Sequence, residues 1–317
     1  MDSVLLPVSE DPVSVVMPTR DRWVLATLAV ESVLAQEGAE LELIVVDDGS
    51  AGEPFRPVDD PRVRVLHSER SEGVARARHR GLVAARHPWV AFLDDDDLWA
   101  PDHLRRTLGA RSDGEQWGYA GQIVIDPESR PRYIRPAPPA SSMREQLMRV
   151  NAIGTPSSVL ARTELVRAIG SFDAQFSVMA DWDMWFRLLE RSPPASSSAP
   201  TVAYRRHPGN MHLRMDEALA EMERLRSRHG PVGDGEFTTW VADGYRKRGD
   251  RRKAALWYLR SARQRPRWSD VLRAGGVFLG ERAMQVASRP PSPPATPAWL
   301  AAAQRRQAEL TALRDAS

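Results

Sequence analysis

The chain has no cysteine among its 317 residues. Disulfides and thiolate metal sites are therefore excluded, and any metal must be held by oxygen or imidazole. A long hydrophobic run is equally absent: no stretch approaches the roughly 20 apolar residues that span a bilayer. The amino terminus, Met1 to Asp11, has neither a basic segment nor an extended apolar core, which predicts no signal peptide. The expectation is a cytoplasmic protein. Net charge is only +2, but Arg and Lys outnumber Asp and Glu beyond about Gly230, so the preceding part is net acidic. Such a basic region suits an anionic membrane surface or a phosphorylated substrate, and arginine-rich composition explains it equally well. Peripheral contact at the inner membrane face through these residues stays open, and no nucleic-acid partner is expected. What is present is ordinary for a soluble globular protein: 42% hydrophobic and 27% charged residues, with length for one large domain and an appendage.

Val13 to Met17 and Leu41 to Val46 read as buried strands, with a helix over Trp23 to Gln36 between them. Val63 to Leu66 is a third strand, Gly73 to Arg86 a helix and Trp89 to Leu93 a fourth strand. Apolar strands alternating with helices predict an α/β fold with a mainly parallel central sheet covered on both faces. Further strands are expected at Trp117 to Ile125, Ser157 to Ala161 and Thr201 to Tyr204, and helices at Met143 to Val150, Thr163 to Ile169 and Asp181 to Leu189. Two loops are expected, at Pro127 to Pro139 and Pro193 to Pro200. After His212 the pattern turns helical: Met215 to His229, a hairpin of Phe237 to Arg248 and Arg251 to Arg265, and Val271 to Val286. The organisation predicted is residues 1–213 as the α/β domain, 214–288 as an all-α region, and 289–317 as a proline-rich breaker and a loosely held helical tail.

The fourth strand ends in Asp94, Asp95, Asp96 and Asp97. Adjacent carboxylates repel, and a divalent cation relieves the repulsion; hard oxygen ligands suit Mg2+ or Mn2+, which bind one or two carboxylates and then a substrate's phosphates. The bland alternative is a solvated acidic turn. Two other strand ends carry polar chemistry, Pro18-Thr19-Arg20 and Asp47-Asp48-Gly49-Ser50. In parallel sheets, ligands bind beyond the carboxyl ends of the strands. Three such ends at one edge predict a nucleotide site.

The series Val13 to Thr19, Ser32 to Gln36 and Ile44 to Ser50, with Gly73 to Gly81 and Phe92 to Asp97, resembles the amino-terminal half of glycosyltransferase family 2. Pro156 to Arg162, Gly170 to Asp173 and Ala180 to Arg187 are similar to its acceptor half. The resemblance covers roughly two-thirds of the chain in order. It implies a GT-A fold and inverting transfer of a sugar from a nucleotide diphosphate donor, of UDP type, assisted by Mn2+ or Mg2+. It also implies that Pro18, Thr19 and Arg20 line the base and ribose, and that Asp48 accepts the uracil N3–H, with a turn carboxylate satisfying nearby backbone amides as the alternative. Arg78 would reach the base or diphosphate, with a surface ion pair as the alternative. Asp96 would ligate the metal directly and Asp94 through water or to the ribose, with Asp95 near the ribose and Asp97 capping the helix start beyond it. His207 would complete the metal or diphosphate site, beside a basic pair, Arg205 and Arg206, that clamps the diphosphate. The catalytic base would be Asp181, with an ordinary helix N-cap as its alternative. Three positions depart from the pattern: Arg20 replaces an aromatic, His79 an Asn, and Ala180 the Glu that precedes the base. The acceptor stays open among glycans, lipid-linked intermediates, proteins and small molecules. A sugar nucleotidyltransferase and a catalytically degenerate sugar-nucleotide-binding module are the alternatives; against the first, no glycine-rich phosphate loop follows the first strand.

Overall fold

The β-branched runs near the amino terminus become the middle of a sheet because both of their faces can be buried. The computed structural model describes residues 9–51, 58–207, 214–233, 235–264, 268–279 and 292–315. Strands β1 (Ser9–Thr19), β2 (Ala39–Asp47), β3 (Val63–His67) and β4 (Trp89–Phe92) run parallel in the order β3-β2-β1-β4. The sheet continues past β4 with β8 (Val159–Arg162), β6 (Trp117–Ile125), β9 (Pro194–Arg205) and the short β5 (Leu98–Trp99), while β7 (Pro131–Arg135) pairs with β6. In this second half β6 and β9 are parallel, and β4–β8, β6–β8, β6–β7 and β5–β9 are antiparallel.

The two-residue period of the strands sorts their side chains into two cores. Val13, Val15, Met17, Leu43 and Val45 face helices α1 (Trp23–Leu34) and α3 (His103–Gly109). Val16, Ile44 and Val46 face the other way, toward α2 (Val74–Ala84) and α6 (Ala180–Leu189). Polar Ser14 and Glu42 break both apolar runs for a reason: Ser14 Oγ donates to Glu42 Oε1 at 2.7 Å, and together they accept the backbone N–H groups of Arg86 and His87. The turn into β4 thus has its buried donors satisfied.

Gly81 sets how closely α2 lies on the sheet. A Cβ there would stand 2.3 Å from Val16 Cγ1 on β1. Gly81→Ala is expected to destabilise the protein by about 1–3 kcal/mol through overpacking. Val16→Ala in the same chain should recover part of the loss, because the two positions share one contact; denaturant titrations of the single and double variants measure it.

Helices α4 (Met143–Arg149) and α5 (Thr163–Ala168) lie where expected. The two predicted loops do not: residues 127–139 contain β7, and residues 193–200 lie largely within β9. Prolines disguised both. Pro131 and Pro194 stand at the first residue of a strand, and Pro200 sits at a register shift, places where a missing N–H does not break the ladder. Helices α7 (Met215–His229), α8 (Gly235–Lys247), α9 (Arg251–Gln264) and α10 (Trp268–Leu279) follow. Met215, Met222, Leu225, Phe237 and Val241 join the same core as Trp182, Met184 and Phe186, so the helical region shares its interior with the α/β part. The expected extension of α10 to Val286 and the run Arg289 to Pro291 lie outside the described residues.

The last helix, α11 (Ala298–Asp315), is anchored rather than loosely held. Leu300 is fully buried among Leu28, Leu98, Ile123, Ile125 and Ala203. Arg306 pairs with Glu31 of α1 at 3.0 Å. Gln304 and Gln307 donate to the backbone carbonyls of Ser129 and Pro127, each at 2.8 Å, in the turn between β6 and β7.

Candidate active site

Parallel pairing of β1 with β2 and β4 carries their carboxyl ends to one edge, where the chain loses its ladder partners and its apolar character together. There Pro18, Thr19 and Arg20 after β1, Asp48 after β2, and Asp94, Asp95 and Asp96 after β4 line one cleft of about 620 Å³. Arg78 from α2 and Asp181 from the first turn of α6 line the same cleft. Of the predicted site residues, His207 and the basic pair Arg205 and Arg206 are not on its wall; His207 stands directly behind it, with Nε2 2.9 Å from Asp96 Oδ2.

The aspartates are not equivalent. Asp94 is the most open of those on the wall, its side chain 26% exposed and ion-paired with Arg78. Burial, with the neighbouring Asp96 charge, pushes Asp95 up to about 7 despite Arg22 and the 2.8 Å hydrogen bond from Thr19 Oγ1. Burial would raise Asp96 too, but the His207 hydrogen bond and the charges of Arg22 and Arg205 outweigh it and hold that carboxyl below its ordinary value. Asp97 does not cap a helix. It is fully buried, accepting from Ser157 Oγ at 2.7 Å, Thr155 Oγ1 at 3.2 Å and the Arg205 N–H at 2.9 Å, and burial beside Asp96 and Asp94 lifts it well above the carboxylate range. Its work is to tie the aspartate loop to the turn before β8 and to the end of β9.

Arg22 is the residue that sequence reading missed. Its Nη1 lies 3.2 Å from Asp95 Oδ1 and 2.9 Å from Asp96 Oδ2, so one guanidinium bridges two carboxylates. The signal available was a basic residue in a loop following a strand expected to lie beside the acidic one; nothing local distinguished it from Arg20. Arg205 is corrected in the opposite sense. At 1% exposure it is no mobile clamp: its Nε donates to the Asp96 carbonyl at 2.8 Å and its Nη1 to the Pro127 carbonyl at 2.7 Å. Arg206 donates to the Tyr133 hydroxyl at 3.1 Å.

Asp48 spends its carboxylate locally, accepting from Ser71 Oγ at 2.7 Å and from the backbone N–H groups of Glu72 and Gly73 at 2.8 and 3.0 Å. Those bonds fix the loop that leads into α2. Arg20 is half-exposed and lies 3.4 Å from Asp21. Arg78 is buried, its guanidinium 4.7 Å from the centre of the Phe172 ring and its Nε without a protein partner. Arg78 is therefore not the surface ion pair offered as its alternative. Asp181 Oδ2 accepts from Asn151 Nδ2 at 2.8 Å and Oδ1 from the Trp182 N–H at 2.7 Å; loss of solvent pushes its carboxyl up to about 6. Ala180, standing where a Glu was expected, is buried and also lines the cleft.

The donor set suits a hard cation. Asp94 and Asp96 offer carboxylate oxygens, and no sulfur is present. Among the described residues no three His, Asp or Glu side chains converge to hold an ion by themselves. This fits a cation of the Mg2+ or Mn2+ kind, which takes one or two carboxylates and draws further oxygens from water and substrate phosphates.

Residues 14–170 match the family model for glycosyl transferase family 2. The succinoglycan biosynthesis protein ExoO of Rhizobium meliloti is 44% identical over 101 residues, 31% of this chain and 28% of that protein, so the match spans under a third of that relative's length. An Escherichia coli protein named UDP-Glc:alpha-D-GlcNAc-diphosphoundecaprenol beta-1,3-glucosyltransferase WfgD is 28% identical over 183 residues, 56% of this chain and 70% of that protein. In shape, the chain is similar to the mannosyltransferase PcManGT from Pyrobaculum calidifontis, solved with GDP-Man and Mn2+: the TM-score is 0.54 at 14% identity, over 96% of this chain and 86% of that one. The architecture is a GT-A fold with added carboxyl-terminal helices. The strand-end cleft, the family match and the glycosyltransferase relatives agree: residues 14–170 form a glycosyl transferase family 2 domain.

Proposed function

We propose that the protein transfers a sugar, with inversion, from a nucleotide diphosphate donor of UDP type to a hydroxyl of a glycan or lipid-linked acceptor. The observation that carries this reading is the shared cleft: a carboxylate whose proton affinity is raised, Asp181, and the aspartate loop line the same hollow. Thr19 and Arg20 border the base and ribose, and Asp48 presents its remaining acceptor capacity to a uracil N3–H. Asp96 and Asp94 hold a divalent cation, Mn2+ or Mg2+, with His207 behind Asp96. When bound, that cation acts as a Lewis acid toward the departing diphosphate. Arg78, ion-paired with Asp94, supplies a second positive charge. Asp181 takes the proton from the acceptor hydroxyl as that oxygen attacks the anomeric carbon. The UDP-Glc and the diphosphoundecaprenol in the name of the Escherichia coli relative support a UDP-sugar donor and a lipid-linked acceptor.

Nucleotide release measured across a panel of UDP- and GDP-sugars tests the reading. Release confined to UDP-sugars and dependent on Mn2+ or Mg2+ is expected; no release from any donor, with UDP still bound, would mean a sugar-nucleotide-binding module instead.

The acid limb of the rate follows from Asp181. A base works only when deprotonated, and this carboxyl is raised from the usual 3.8 to about 6. Turnover at subsaturating donor should therefore be flat near neutrality and fall about tenfold per pH unit below about 6. A profile that stays flat down to pH about 4 would remove Asp181 from the role.

A further inference from the structure

Nine large hydrophobic side chains are exposed among the described residues, and four of them, Leu256, Leu259, Val271 and Leu272, lie on two adjacent helices. Helix α9 buries Ala254, Ala255, Tyr258 and Ser261, and α10 packs beside it, with Ser261 Oγ donating to Asp270 at 2.8 Å. The opposite side of α9 is left outward. Residues 252, 256, 259 and 263 follow the spacing of one helical stripe, so two exposed leucines are flanked by two exposed arginines. The whole helix carries Arg251, Arg252, Lys253, Arg260 and Arg263 and no acidic residue. On α10 the acid, Asp270, is buried and committed to Ser261 and Arg273, so it does not offset this charge at the surface. No described helix is long and apolar enough to cross a membrane.

We propose that the outward face of α9 and α10 docks on the surface of an anionic phospholipid bilayer. Basic heads meet the lipid phosphates while the leucines enter the boundary between headgroups and acyl chains; a basic apolar helix lying in the interface behaves in this way. A polyanion such as RNA would be served by the arginines but not by exposed leucines. The face stands on these observations alone. Its relation to the reaction rests on the proposed function: α8 lies against α9, and its Phe237 packs 6.2 Å from the ring of Trp182, the residue after Asp181. A membrane seated on α9 and α10 is thus connected through α8 to the helix that carries Asp181.

Co-sedimentation of the full chain with phosphatidylcholine vesicles containing about 30% phosphatidylglycerol tests the surface. Wild type should partition into these on the order of tenfold more strongly than into pure phosphatidylcholine. Leu256→Glu with Leu272→Glu, and separately Arg252→Glu with Arg263→Glu, should each reduce partitioning on the order of tenfold, with UDP-sugar hydrolysis retained. If the leucine double variant loses its circular dichroism, Leu259→Ser alone decides by the same measurement. Three results overturn the proposal: no vesicle binding, binding indifferent to the leucine changes, or a concentration-dependent dimer in ultracentrifugation that those changes dissolve. Competition by polyuridylate that displaces the protein at vesicle excess would assign the face to nucleic acid and overturn it as well. Vesicle binding without release of nucleotide from any donor would sink the proposed transfer and leave the surface standing.

Discussion

Asp181→Asn is expected to lower kcat/KM for sugar transfer by about 10²–10⁴-fold while leaving UDP affinity within about twofold. The substitution preserves volume and keeps one oxygen for the Trp182 N–H, while its NH2 faces the Asn151 Nδ2 donor; the Asn151 Oδ1 is itself held by the Gly154 N–H. What it removes is the only group at that position able to accept a proton. Stability is set by two opposing effects, the lost Asn151 bond at about 1–3 kcal/mol for a stranded donor and the relief of a disfavoured buried charge. The folded carboxyl holds its proton up to about 6 against a usual 3.8, so its ionised form is disfavoured in the folded state. That cost is absent in acid, grows as pH rises through this interval, and is fully present at neutrality, where Asn escapes it. Melting curves and calorimetric titration with UDP separate the outcomes: loss of both binding and activity would make Asp181 a structural residue.

Asp96→Ala is expected to weaken UDP binding in the presence of Mn2+ by about 10–100-fold or more, since losing even an indirect partner of a metal ligand costs that much. Binding without metal should change little. The neighbouring Asp97 provides the contrast. Its carboxyl is buried against Ser157, Thr155 and the Arg205 N–H, so Asp97→Ala leaves donors stranded in the interior, at about 1–3 kcal/mol for each unsatisfied group. Asp97→Ala should therefore lower Tm by many degrees, whereas Asp96→Ala should affect chiefly the metal-dependent binding. Two adjacent aspartates with interchangeable effects would refute this division of labour.

The strands that build the nucleotide half were legible because their burial on both faces leaves little choice of residue. Val13 to Met17, Leu41 to Val46 and Trp89 to Leu93 carry that imprint, and their polar ends mark the cleft without any knowledge of distant contacts. The acceptor half was harder to read. The Ser196 to Pro200 part of β9 is polar and proline-containing, yet it is held by pairing with β6 that only the folded chain supplies. Arg22 and Arg205 were misjudged for a related reason. Both are defined by carboxylates or carbonyls more than 70 residues away, Arg22 as a bridge on the cleft wall and Arg205 as an interior tie. Asp48 shows the limit of motif reading from the other side: the alternative offered for it, a turn carboxylate satisfying nearby backbone amides, describes its bonds to Glu72 and Gly73. Helix α11 presents Leu300, Ala303 and Leu310 to the domain among glutamines and arginines, so its apolar stripe is too thin to announce a docking face.

That helix gives the protein a particular order of assembly. Gln307 Oε1 lies 3.4 Å from Arg205 Nη1, and Arg205 in turn holds the carbonyl of Asp96. The aspartate loop is made early on the ribosome, but the residue that buttresses its support is joined more than 200 residues later. A nascent chain that has not yet reached α11 carries every residue of the proposed chemistry and lacks this brace. Such a chain leaves open an apolar socket around Leu28 and Ile125, the kind of exposed surface that draws quality-control proteases.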